Sequence, residues 1–179
     1  MASHLAVTRR RSGGGAVLVA PGDQVWLDAF VPRGDPLFEE DLVRSSWWLG
    51  ELWAEALGVA GADEASLGVH RGAVVRTPWS RTLCFAGIGP GEVTLSGRKL
   101  VGISQRRDRR GAWFHSAALV RFDPAHLAGL LLLDPSSRRA LVAHLESEVA
   151  TLPVVATGLE AGLRRAFAGA AAPARPVAG

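Results

Sequence analysis

Between Glu92 and Phe122 the sequence turns sharply twice, and no other stretch restricts the fold as much. Glu92-Val93-Thr94-Leu95 and Lys99-Leu100-Val101-Gly102-Ile103-Ser104 flank Ser96-Gly97-Arg98, the signature of a tight hairpin. Arg107-Asp108-Arg109-Arg110-Gly111 then turns into the apolar run Ala112 to Phe122. Turns this short join antiparallel neighbours, because a parallel pair needs a long crossover. Asp123-Pro124 ends the strands, and helices are predicted over His126–Leu133, Ser136–Val149 and Thr157–Ala168.

Upstream, Asp35 and Pro36 read as the start of a long amphipathic helix reaching Gly58. Leu37, Phe38, Leu42, Trp48, Leu49, Leu52, Trp53 and Ala56 recur near its period, and the tryptophans read as core rather than as a stacking platform. Leu5–Val7 and Ala16–Val19 are predicted strands, with Val69–Arg76 and Leu83–Ala86 as short β pieces. The expectation is an α+β fold: a mixed, mostly antiparallel sheet with packed helices, in one domain over residues 1–168, followed by a flexible tail over 169–179.

The 179 residues are 48% hydrophobic and 21% charged, enough to bury a core. The longest apolar run, Leu127–Leu133, is far shorter than the roughly 20 residues that cross a bilayer. With no signal-like start, a cytoplasmic location without a membrane partner is expected. The one cysteine, Cys84, allows neither an intramolecular disulfide nor a cysteine zinc cage. The five histidines show no metal-ligand spacing, so no protein-bound metal is expected.

Charge is uneven along the chain. Residues 1–11 hold three arginines and no acid, and residues 98–110 carry a net +5, so with +3 overall the remainder is −5. Two basic segments on an acidic body suit a local anionic ligand better than a nucleic acid, which needs a broad basic stripe. Lys99 is the only lysine among 20 basic residues. An ammonium is a compact point charge where guanidinium is a flat fork, so a site needing one small cation between acceptor oxygens keeps a lysine. Gly13-Gly14-Gly15 contributes no side chains to a strand but permits positive φ and close approach to a ligand. Beside Arg9 and Arg10 it makes an anion nest. Nest and lysine together suit the joining of a carboxylate to a phosphate, where charge must be neutralised as it develops.

Arg9-Arg10-Arg11-Ser12-Gly13-Gly14-Gly15-Ala16-Val17 resembles the RRxSGGGAV motif of the lipoate-protein ligase and biotin/lipoate attachment family. Gly97-Arg98-Lys99-Leu100-Val101-Gly102-Ile103-Ser104-Gln105-Arg106 resembles its GRKxxGSAQR segment, and His115 falls where the family usually has a histidine. The resemblance implies a biotin/lipoate ligase catalytic domain, class II synthetase-like, with Lys99 contacting an acyl-adenylate. It implies that Arg9, Arg10, Ser12, Gly13, Gly14, Gly15, Ala16, Gly97, Gly102 and His115 line the substrate and nucleotide sites. ATP with Mg²⁺ and lipoate are the implied co-substrate and substrate. The acceptor is a lipoyl domain or a glycine-cleavage H-like protein. Val19 and Ala20 depart from the His-Asp that many ligases carry, and the segment that usually precedes the arginine pair is short. Either the start is truncated, or a partner chain supplies the missing wall, or activity has been lost. A related branch, the cysteine-dependent octanoyltransferases, carries a Cys-Phe ahead of the same hairpin. Cys84-Phe85 matches it, which makes Cys84 the nucleophile of an alternative, an octanoyl transfer from acyl carrier protein. A non-catalytic paralogue of the same fold is the third reading.

Overall fold

The computed structural model describes residues 5–152 and 156–170. Its strands are β1 (Gln24–Pro32), β2 (Leu67–Val69), β3 (Val93–Leu95), β4 (Arg98–Asp108) and β5 (Gly111–Leu119). Its helices are α1 (Trp47–Val59), α2 (Pro124–Gly129), α3 (Pro135–Glu148) and α4 (Ala156–Ala170). The sheet runs β1-β5-β4-β3-β2, every neighbouring pair antiparallel. This is the α+β architecture expected, and the parallel element is confined to isolated bridges, Ala16 to Leu83 and Lys99 to Val149.

Both predicted turns form. Ser96 and Gly97 have φ of 51° and 79°, as a hairpin turn whose twist matches its strands requires. At the second turn Asp108 pairs with Gly111 and leaves Arg109-Arg110 as the tip. Asp123 and Asp134 cap α2 and α3 by accepting backbone N–H bonds, each with proline in the first turn. Hydrogen bonds from Ser136 and Ser137 hold the Asp134 carboxyl well below the usual carboxylate range.

One face of the sheet packs on α1 and α4 around Leu49, Trp53, Leu57, Leu100, Val101, Phe114 and Leu159. Leu49 and Leu57 are fully buried, each stabilising by about 2 kcal/mol. Trp53 donates its indole N–H to Ser116 Oγ at 2.9 Å, so the largest core side chain leaves no polar atom unpaired. The other face carries α2, α3 and the 83–86 segment over part of its area, through Leu83, Phe85, Leu119, Leu141 and Leu145.

Local chemistry overrides several expectations. The predicted helix does not begin at Asp35. Asp35 and Asp41 accept N–H bonds from Leu37, and from Val43 and Arg44, so side-chain turns replace the helix ladder and α1 starts at Trp47. Leu5–Val7 and Ala16–Val19 are not strands. The second docks as a loop, with Ala16 N–H donating to Thr82 O and Cys84 N–H to Ala16 O. Leu83–Ala86 closes into a short 3₁₀ turn over Cys84–Ala86, and of Val69–Arg76 only Val69 joins a strand. Gln24–Pro32, for which nothing is predicted above, forms β1, with Val25 and Val31 buried and Trp26, Asp28 and Phe30 exposed. The predicted tail begins inside α4, and from residue 171 it lies outside the described residues.

Candidate active site

The two motifs meet in one cleft. Gly13, Gly14 and Gly15, Cys84 and Lys99 all line an open cavity of about 240 Å³, with Val74, Val75, Ile88 and Ile103 as its apolar lining and Ser46, Ser80 and Gln105 among its polar lining. The loop Gly87–Gly91, which has neither the spacing nor the following helix of a dinucleotide loop, is its far wall. Its glycines let main-chain groups face the cleft: Gly87 contributes a carbonyl and Gly89 an N–H.

Lys99 does not reach out of the sheet mouth as a free ammonium. It is 4% exposed, and Nζ lies 2.6 Å from Glu92 Oε2 while donating to Cys84 O at 2.8 Å and Gly87 O at 2.9 Å. The Phe85 ring lies against it, its centroid 5.1 Å away. Three acceptors match the three protons of an ammonium, so the geometry is saturated. Glu92 is equally enclosed: Oε1 accepts the Ile103 N–H at 2.9 Å and Oε2 the Gly89 N–H at 2.6 Å. Such a pair offsets its desolvation only because all three ammonium protons and both carboxylate oxygens have partners. Glu92 is absent from the sequence-derived site. One signal could have found it: an acid seven residues before the sole lysine, on the partner strand of the same hairpin.

The glycine loop is fixed by side chains. Arg10 donates to Gly15 O at 2.6 Å and to Ser104 Oγ at 3.1 Å, and Ser104 Oγ donates to the buried Ser12 at 3.0 Å. Gly14 has φ +96°, and a Cβ there would lie 2.7 Å from the Arg10 guanidinium and 3.6 Å from Cys84 Sγ. A Cβ on Gly15 would sit 2.5 Å from the Leu83 backbone nitrogen. The loop presses on the 82–84 main chain, and only glycine permits that approach.

The other implied residues divide. Arg10, Cys84, Gly102 and His115 line a small recess beside the cleft, with Trp26 at its edge. His115 Nδ1 lies 2.7 Å from Asp28 Oδ1, away from Lys99's partners. Ala16 faces a different depression, next to α2. Gly97 is at the hairpin turn behind Lys99. Arg9 is exposed, whereas Arg10 is spent on the loop itself. Among the described residues no cluster of three or more His, Cys, Asp or Glu is placed to hold a metal ion, and no helix is long and apolar enough to cross a membrane.

An antiparallel sheet backed by helices, with a glycine loop and a buried lysine sharing a cleft, is the architecture on which the comparisons bear. Residues 2–159 match the family model of the lipoyl protein ligase A/B catalytic domain, and the chain belongs to that family. A bi-partite lipoate protein ligase from Thermoplasma acidophilum, solved in a study of that system and its lipoyl domain, superposes with a TM-score of 0.61 at 20% identity, covering 90% of this chain and 56% of that one. A lipoate-protein ligase A bound with ATP gives 0.60 at 20% identity, covering 90% and 57%. The chain thus spans little more than half the length of these structures, and at this identity the likeness is one of fold. No curated protein matches its sequence.

Proposed function

We propose that the cleft binds lipoate or a related medium-chain acid, activates it as an acyl-adenylate and delivers the acyl group to a lysine of an acceptor protein. The observation that carries this reading is that the buried Lys99 and the glycine loop line one cleft, together with the apolar side chains of Val74, Val75, Ile88 and Ile103. MgATP is the second substrate. A carboxylate oxygen attacks the α-phosphorus and pyrophosphate leaves; the acceptor amine then attacks the acyl carbon, AMP leaves and the amine loses a proton. Val74, Val75, Ile88 and Ile103 take the acyl chain. Lys99 exchanges its two carbonyl partners for the acyl and phosphate oxygens, worth on the order of 3 kcal/mol where charge develops. Glu92 holds the ammonium in place during that exchange. Arg10 keeps the glycine loop closed and Arg9 is free to meet the nucleotide. A partner chain belongs to this reading, supported by the likeness to a structure described as a bi-partite ligase with its lipoyl domain.

Cys84 supports a second reading, since it lines the same cleft. There its thiolate takes octanoyl from an acyl carrier protein thioester, releasing the carrier thiol, and an acceptor lysine then takes the acyl group and frees the cysteine. Mass spectrometry of an apo lipoyl domain incubated with this protein separates the readings. Acylation that needs lipoate and MgATP and disappears in Lys99→Ala supports the ligase. Acylation from octanoyl carrier protein that disappears in Cys84→Ser supports the transferase. No acylation under either condition, even with a completing partner chain, overturns both and leaves a non-catalytic paralogue.

A further inference from the structure

The basic run at the end of β4 takes no part in the cleft, and its placement gives it a different use. Register puts three rows of residues across the face of the sheet that carries the glycine loop. Gly102, Ala117 and Trp26 form one row, Ser104, His115 and Asp28 the next, and Arg106, Trp113 and Phe30 the third. Residues directly opposite in antiparallel strands share a face, and successive rows lie about 7 Å apart. The middle row touches the site, because Ser104 bonds Arg10 and Ser12. The third row runs on to the hairpin tip, Arg109-Arg110.

This outer region is largely apolar and positive; its central carboxylate, Asp28, is engaged by the Trp26 indole N–H at 2.7 Å and by His115 Nδ1 at 2.7 Å. Trp26 and Phe30 are 41% and 39% exposed, and the Phe30 ring lies 4.4 Å from that of Trp113. Among the described residues Asp108 is the one acid paired with Arg106 and Arg110, 3.7 Å from the first and 3.3 Å from the second. Arg109 has no ion-pair partner among the described residues. Arg107 belongs elsewhere, bound to Glu39 and Glu40 carbonyls over Phe38. Exposed tryptophan, phenylalanine and arginine are the residues that anchor protein interfaces. The chain beyond its two basic segments is net negative, so an acidic surface is drawn to those segments, of which this one carries the larger charge.

We infer that the Trp26–Phe30–Trp113 face and the Arg106–Arg110 tip form the landing surface for the acceptor, a folded domain with an acidic face that presents its lysine to the cleft. This rests on the reading that an acceptor lysine is acylated here. Trp26 lines the recess that also holds Arg10 and Cys84, so a domain seated on the aromatic rows ends at the mouth of the site. Nucleic acid, which would use the same arginines, lacks a stacking reason to prefer Phe30, whose ring is tilted against Trp113.

The test uses the whole chain and an apo lipoyl domain from a dehydrogenase complex. Arg109→Glu/Arg110→Glu is expected to weaken binding at least tenfold at low salt, and Phe30→Ser several-fold. Acyl-adenylate formation, read as lipoate-dependent ATP–pyrophosphate exchange, stays at its wild-type level in both. Binding that ignores the arginine reversal, or a single-stranded oligonucleotide that binds as tightly at the same residues, overturns the inference. If exchange is absent from the wild type while the arginine reversal still weakens binding, the ligase reading fails and the landing surface stands.

Discussion

Strand β4 begins and ends in positive charge, and its two ends obey different physics. At the start Lys99 is buried among a carboxylate and two carbonyls. Some 23 Å along, at about 3.3 Å per residue, Arg106 begins a tip whose Arg110 side chain is 74% exposed. A buried charge must be fully matched or it unfolds its surroundings, whereas an exposed one is screened and contributes little to stability. The first end is therefore suited to position and stabilise charge in a reaction. The second is suited to attract a partner from a distance.

The sharpest way to break this comparison is at Lys99. Lys99→Met leaves Glu92 buried without its cation, which costs about 3–5 kcal/mol of stability in chemical denaturation. It also lowers acyl-adenylate formation by about 10²- to 10³-fold, the scale of losing one preorganised donor. Adding Glu92→Gln separates the two effects. The amide carries no charge and its oxygen accepts the Ile103 N–H, while its NH2 faces the Gly89 N–H that Oε2 accepted, so Lys99→Met/Glu92→Gln regains part of the lost stability and stays inactive. A double variant as unstable as Lys99→Met shows that packing, rather than the unmatched carboxylate, dominates this end. Gly15→Ala ranks next. Its Cβ meets the Leu83 backbone, which cannot move as a flexible side chain would, so a loss of about 1–3 kcal/mol is expected in thermal unfolding, with reduced lipoate binding.

What the sequence reveals follows the same division. The hairpin, the lysine and the glycine loop are local patterns, and all three are legible because each turn or contact needs particular residues at adjacent positions. Glu92 escapes notice because its burial depends on Gly89 and Ile103 converging from two segments. Arg10 looks like a nucleotide ligand until Ser104, 94 residues away, is seen to hold it. Strand β1 is missed although Val25, Leu27, Ala29 and Val31 alternate inward, because exposed Trp26 and Phe30 disguise the alternation. The early start given to α1 fails for a local reason: aspartate side chains compete for the N–H groups the helix needs.

The smallest effects belong to the exposed end. Arg109→Glu/Arg110→Glu, which weakens acceptor binding, changes folding stability by less than about 0.5 kcal/mol in the denaturation that exposes Lys99→Met. Asp108 sharpens this further. The Arg110 backbone N–H, and next its guanidinium, hold the Asp108 carboxyl below its ordinary 3.8. A depressed carboxylate stabilises the fold above its unfolded value, and that contribution is lost as pH falls through the folded one. Asp108→Ala therefore unfolds at a slightly lower temperature than wild type at pH 7, and the gap closes as pH drops below about 4. A gap that persists in acid assigns the effect to packing instead of charge. Removing the same carboxylate leaves Arg106, Arg109 and Arg110 unopposed, so acceptor association at low salt quickens in Asp108→Ala while stability declines. Opposite signs from a single substitution are expected only where a charge serves a partner more than its own fold.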